Sequence, residues 1–161
     1  MPERGRRASP RVATARAFLR QAKADFEDAR KLIDGRGNAC AVVALLQGAA
    51  EKAIKAYLAL QFEPAAFFEV LKQVQHEPIK THKKSWGLQR RIPKQSWAIL
   101  QELEAMQPRL ALRSSMNPQY PWTTGATFDL TTPVDYFQPT HVTRFKPVVG
   151  HLLAAVAKQV R

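Results

Sequence analysis

The run ACAVVALLQGAAEKAIKAYLAL, Ala39 to Leu60, decides the fold. Val42, Leu46, Ala50, Ala53 and Tyr57 recur at three- and four-residue steps, the period of one helical face. Val43, Leu45, Ala49, Ile54, Leu58 and Leu60 widen that face well beyond a single seam. A helix so broadly apolar must be covered on several sides, which places it at the centre of a bundle. The alanines and Gly48 let neighbouring backbones come close, and only Gly48 costs much propensity, about 1 kcal/mol relative to Ala. Asn38 is a good cap for this helix. Run to about Phe62, it would be about 36 Å long at 1.5 Å per residue. Its narrow polar face carries Glu51 and Lys55, a favourable i,i+4 pair.

Outward from this rod the chain reads as more helices. On the N-terminal side, Phe18, Ala22, Phe26, Ala29 and Ile33 predict a helix from about Arg11 to Asp34, stopped by Gly35 and Gly37. On the C-terminal side Pro64 restarts the chain in a short helix, Ala65 to Val74, and Pro78 interrupts it. Thr81 to Arg91 is expected to form a further short helix, capped by Thr81. Pro93 suits the first turn of a helix running to about Met106 on Trp97, Leu100, Leu103 and Met106, with Pro108 ending or kinking it. Asn117 to Pro139 is irregular: five prolines and glycines alternate with Tyr120, Trp122, Phe128, Tyr136 and Phe137, as in a long loop packed onto a bundle. The last helix buries Val149, Leu152, Leu153, Val156 and Val160. Its expected start lies between Thr143 and Lys146, with Pro147 in the first turn; a start nearer Thr140 would require Pro147 to kink it.

The fold class is therefore all-α. It is an up-and-down bundle of four to five main helices, with short extra helices and a long aromatic, Pro-rich loop before the last one. Residues 1–10 read as a flexible basic arm and residues 11–161 as a single domain, a length that supports one hydrophobic core.

Charge is the first clue to function. Lys and Arg total 25 against 13 acidic residues, a formal net charge of +12. The excess is clustered. One group is Arg4, Arg6, Arg7, Arg11, Arg16, Arg20 and Lys23; another is Lys72, Lys80, Lys83, Lys84, Arg90, Arg91 and Lys94, with His76 and His82 among them. Such a field concentrates polyanions: RNA, DNA, nucleotides or an acidic protein. The nucleic-acid-binding candidates are Lys80, His82, Lys83, Lys84, Arg90, Arg91 and Lys94. Trp86, Trp97 and Trp122 are of a type that stacks on bases, although such residues more often anchor cores.

Other classes are set aside. No stretch is long and apolar enough to cross a bilayer, so no membrane partner is expected. The Arg-rich N-terminus lacks the apolar segment of a secretory signal, and the cytoplasm is the expected compartment. Cys40, the single cysteine, cannot pair within the chain and reads as a small core residue. His76 and His82 do not have a reliable metal-ligand spacing, so no metal site is expected. There is no Gly-rich phosphate loop, zincin motif or nucleophile elbow, and no cofactor is expected. His141 reads as a helix-entry residue.

Three segments carry a resemblance. In Ala39–Leu60, Gln47, the small pair Ala49 and Ala50, and then Glu51, Lys52 and Ala53 are similar to the second helix of HEPN domains (higher eukaryotes and prokaryotes nucleotide-binding). Thr81 and His82 in THKKSWGL resemble the Thr-His that opens a short helix in that family, although Lys83 stands where Asp is common. Tyr120-Pro121 matches a Tyr-Pro often found before the last helix. The order and spacing agree from about Val12 to Val160.

The resemblance implies a helical bundle that pairs as a homodimer and binds RNA or nucleotide, in some relatives within toxin–antitoxin or defence systems and beside a nucleotidyltransferase partner. Many members are metal-independent endoribonucleases using an Arg and a His near the last helix; others have lost that pair and act as binding or assembly modules. Here the only candidates for the catalytic pair are Arg144 and His151, six residues between them. Residues i and i+7 share a helix face, and an Arg on phosphate with a His moving protons is sound chemistry for RNA cleavage. Phe145, where the family commonly has a polar residue, and Pro147 between the two both count against it. The expected function is thus an RNA- or nucleotide-binding module, with an Arg/His endoribonuclease as one alternative and a non-catalytic interaction module for an acidic or nucleotidyltransferase partner as another.

Overall fold

Apolar periodicity, prolines and caps divide the chain where helices begin and end. The computed structural model describes residues 8–106, 122–124 and 129–161. The main helices are α1 (Pro10–Asp34), α2 (Ala39–Ala59), α3 (Pro64–Val74), α6 (Lys94–Ala105) and α8 (Pro139–Ala157); α4 (Pro78–Thr81), α5 (Trp86–Gln89) and α7 (Pro133–Tyr136) are single turns. Two short strands, β1 (Trp122–Thr124) and β2 (Asp129–Thr131), pair antiparallel with Trp122 opposite Thr131. The architecture is all-α but for this small ribbon, which falls inside the stretch expected to be a loop; residues 117–121, with Tyr120-Pro121, and 125–128 of that stretch lie outside the described residues, as do Pro108 and residues 1–7 of the basic arm.

The ends of the first helical hairpin follow local chemistry. Pro10 occupies the first turn of α1, and the Ser9 hydroxyl accepts from the Val12 amide at 3.4 Å. At the other end Arg36 takes a left-handed φ of 56° and the Gly37 amide donates to the Leu32 carbonyl at 2.6 Å. A Cβ on Gly37 would stand 2.9 Å from that carbonyl oxygen, so the tight return requires glycine there. Asn38 then caps α2 through its side chain, accepting from the Cys40 amide at 3.1 Å. The short connection makes α1 and α2 antiparallel neighbours.

The central helix is covered as its sequence demands. Twelve of its residues are buried, among them Val42, Val43, Leu46, Ile54 and Leu58. It packs chiefly on α1, then on α8, and meets α3, α4, α6 and α7 as well. Full burial of each large aliphatic side chain contributes about 1.5–3 kcal/mol. Phe67 of α3, Leu100 and Leu103 of α6, and Phe145, Val149 and Leu152 of α8 complete the same core. Cys40 packs, half-buried, at its edge.

Two expectations need correction. The segment Thr81–Arg91 is not one helix capped by Thr81. The chain extends at His82 (φ −121°, ψ 110°), forms a 3-10 turn over Lys83–Ser85, and only then coils as α5. The last helix begins at Pro139, not between Thr143 and Lys146, so Pro147 lies in its interior. Gln138 and His141 form a capping box that starts it early, with the His141 Nδ1 accepting from the Gln138 amide at 3.0 Å. His141 also packs edge-on against Phe137 and close to Tyr136, in keeping with a helix-entry role. Pro147 removes one amide donor from the ladder. Val142, Phe145, Val148 and Val149, buried on both sides of it, offset that loss.

Candidate nucleic-acid interface

The polar side of α2 is not solvated. Gln47, Glu51 and Lys55 stand four residues apart on one helix face. Gln47 is buried, and Glu51 and Lys55 have only 14% and 12% of their side chains exposed. Glu51 accepts from Lys55 Nζ at 2.5 Å on one oxygen and faces His76 Nδ1 at 3.2 Å on the other. The pair expected to stabilise an open helix face is instead roofed by the α3–α4 turn, α4 and α6.

Glu104 of α6 is the keystone of that roof. Pro78 opens α4, and Glu77 gives it no side-chain cap. The Ile79 and Lys80 amides therefore lack an intrahelical partner. Both donate to the Glu104 carboxylate, at 2.6 Å to one oxygen and 2.9 Å to the other. Glu104 thus does from another helix what a cap does locally. Burial pushes its carboxyl up to about 7, with smaller contributions from Glu77 and Glu51, while the two amides pull the other way. The sequence does hold a signal for it: Leu100, Leu103 and Met106 mark the buried stripe of α6, and Glu104 stands inside that stripe.

Glu104 lies between two cavities. On its inner side a space of about 10 Å³, the size that holds one water, is bounded by Gln47, Glu51, His76 and Glu104 with apolar neighbours. The buried Gln47 Nε2 has no partner there among the described residues. On its outer side an open cavity of about 400 Å³ is lined by Glu77, Ile79, Lys80, Trp86, Gln101, Glu104 and Ala105.

The clamp sets the starting point of the basic segment. From Pro78 to Gln101 the sequence contains no Asp or Glu. Lys80, Lys83, Lys84, Arg90, Arg91 and Lys94 are all exposed. Lys80 Nζ is 3.3 Å from Glu77, and Lys84 Nζ stands 4.1 Å over the Phe62 ring. Lys83, Arg90, Arg91 and Lys94 make no ion pair with any described residue.

His82 is built differently. It is half-buried, edge-on to Phe62, and its Nδ1 accepts from the Lys84 amide at 3.3 Å. Burial lowers its pKa, and Lys84 lowers it further. A capping nitrogen must be unprotonated to accept, so His82 serves the turn more than it adds charge. Ser85, fully buried, ties the same turn through its hydroxyl to the His82 carbonyl at 2.6 Å. Among the tryptophans, Trp97 is buried in the core, whereas Trp86 is 51% exposed in the middle of the basic segment. Gly87 lets Trp86 sit there, because a Cβ at that position would come within 2.7 Å of the Tyr57 hydroxyl.

The other basic group also has a surface. Arg16, Arg20 and Lys23, spaced along one face of α1, border a shallow groove against Ala157 at the end of α8 and Val160 just beyond it.

Arg144 and His151 are both exposed on α8. Arg144 grips Glu102 of α6 with two bonds, 2.7 and 2.6 Å, so its planar fork is matched to a carboxylate. Among the described residues no group of three or more His, Cys, Asp or Glu side chains could hold a metal ion, and no helix is long and apolar enough to cross a membrane.

The model of the HEPN domain family matches residues 15–86, which run from α1 through the central helix to Trp86. No curated protein and no solved structure matches the chain.

Proposed function

We propose that this chain, similar to the HEPN domain family over residues 15–86, binds single-stranded RNA or nucleotide through the basic segment Lys80–Lys94. The observation that carries the reading is the set of exposed cations, Lys83, Arg90, Arg91 and Lys94, that have no carboxylate partner among the described residues and flank an exposed Trp86 in the sequence. Unpaired Lys and Arg release counterions when they meet phosphates, and an exposed indole stacks on any base. The Arg16, Arg20 and Lys23 face adds a second positive surface. In solution we expect a homodimer, as the family resemblance implies, in the cytoplasm. A nucleotidyltransferase partner or a toxin–antitoxin setting would be read from copurification.

The binding reading is preferred to RNA cleavage because Glu102 occupies the Arg144 guanidinium that would otherwise meet a phosphate. Fluorescence anisotropy with a labelled single-stranded RNA across a salt series tests binding. Four phosphate contacts predict a slope of log affinity against log salt of about −3. A flat response would remove the reading. The same RNA, incubated with chelator and analysed for cleavage, tests the alternative: we expect it intact, and cleavage lost in His151→Ala would establish the Arg/His enzyme instead.

A further inference from the structure

We propose that the open cavity between α4, α5 and α6 is a subsite for a single unpaired guanine base. The cavity joins three features that charge alone does not explain: an exposed aromatic wall, Trp86; a carboxylate wall, Glu77 and Glu104; and a cation at the rim, Lys80. Its volume of about 400 Å³ falls at the lower end of the roughly 300–1,000 Å³ typical of small-molecule sites, suited to one nucleoside and too small for an oligonucleotide.

The acceptors select among the bases. A carboxylate only accepts, so it favours a base edge that presents donors. Guanine carries N1–H and the 2-amino group side by side. Adenine and cytosine offer one amino group next to an acceptor nitrogen. Uracil sets its single N–H between two carbonyl oxygens, which face a carboxylate unfavourably.

Glu104 uses one lone pair on each oxygen for the Ile79 and Lys80 amides, which leaves one on each. Glu77 borders the same space with Lys80 Nζ 3.3 Å away. A stacked base would rest on the Trp86 indole. Its ribose phosphate would emerge toward Lys80 and the cations that follow.

A buried carboxylate held near neutrality is stabilised as the anion by added donors, and the groups facing Glu104 fit that need. From α2 these are Gln47 and Glu51, from the α3–α4 turn His76 and Glu77, and from α4 Lys80. Among the described residues only Lys80 of these is a permanent cation, and none makes an ion pair to Glu104 with which an incoming donor edge would compete. Guanosine affinity should therefore fall as pH drops from 8 to 6.

The proposal rests on the RNA-binding reading for its setting, but its test uses neutral nucleosides, which do not need the basic surface. Calorimetry of the full chain at pH 8 with guanosine, inosine, adenosine, cytidine and uridine is the experiment. Guanosine should bind about tenfold or more tightly than uridine, the scale of one good bidentate contact. Inosine, lacking the 2-amino group, should fall between them. Trp86→Ala and Glu77→Gln should each weaken guanosine, Trp86→Ala while leaving the melting temperature near that of the parent, and Trp86→Phe should retain binding. Equal affinity for all five nucleosides, no binding of any, or guanosine binding unchanged in Trp86→Ala would overturn the subsite. Salt-dependent RNA binding without a guanine preference would leave the basic-surface reading standing and remove this one; guanosine binding without RNA binding would do the reverse.

Discussion

The inward polar stripe of α2 and the outward basic segment lie against the same helix, α4, and use charge in opposite ways. Glu51 shares its oxygens between Lys55 and His76, and Glu104 holds two backbone amides. Glu104 is buried and Glu51 largely covered, and both are engaged. A few residues on, Lys83, Arg90, Arg91 and Lys94 are exposed and have no ion-pair partner among the described residues. The lesson is that the first region is structure and the second is available to a ligand, and that the first positions the second. Lys80 belongs to both: its amide is clamped inside and its ammonium stands outside.

The comparison breaks most visibly at Glu104. Glu104→Ala strands two amide donors and opens the roof over Glu51, which should cost about 2–4 kcal/mol. Chemical denaturation would measure it, and a loss under 1 kcal/mol would mean that the clamp is not what holds α4. Guanosine binding should be lost with it.

The pH dependence sharpens the same point. A carboxyl raised to about 7 in the fold and titrating near 4.5 when unfolded binds its proton more readily in the native state. Its contribution then favours folding at low pH and is lost as pH rises from about 4.5 through 7, to an upper limit of about 3 kcal/mol. His82 works in the other direction. Its lowered pKa means that stability is lost as pH falls below its ordinary value of 6.5. Denaturation midpoints of the parent and Glu104→Gln between pH 5 and 8 separate the two: the difference between the proteins isolates the Glu104 slope, and parallel curves would contradict it.

On the outward side, replacing Lys83, Arg90 and Arg91 together by Gln should change stability by under about 1 kcal/mol, since each side chain is exposed and makes no ion pair with a described residue. RNA affinity should fall tenfold or more at low salt, and the salt slope should shrink by about 2. A variant that melts normally and binds RNA as before would place the interface elsewhere, with Arg16, Arg20 and Lys23 the next surface to remove. The smallest effect is expected at Glu102→Gln. It frees Arg144 from a half-exposed pair and should cost about 0.2–1 kcal/mol. RNA cleavage appearing in that variant would revive the Arg144/His151 site.

Much of the fold was legible because α2 states its environment in its composition. A rod apolar on nearly every face has to be central, and the caps Asn38 and Gly37 lie in plain view. The misread boundaries share one cause: local signals were outweighed by packing and by caps at a distance. Pro147 looks like a helix start by propensity, but Pro139 and the Gln138–His141 box begin α8 eight residues earlier. Thr81–Arg91 has helical residues, but Ser85 and His82 hold a turn inside it. The roof over Gln47, Glu51 and Lys55 was hidden because helical periodicity separates apolar from polar and cannot say that a polar stripe will be covered. Glu104 was overlooked in the same way: its position within a buried stripe of α6 was visible, and its amide partners, some 25 residues away, were not.

Backbone amide and indole NMR spectra of the full chain, recorded as a short single-stranded RNA is added, test the central claim most directly. The account predicts that shifts concentrate on Lys80–Lys94 and on the Trp86 indole, with the middle of α8 from Arg144 to His151 little changed. Shifts centred on Arg144 and His151, with Trp86 unmoved, would contradict it.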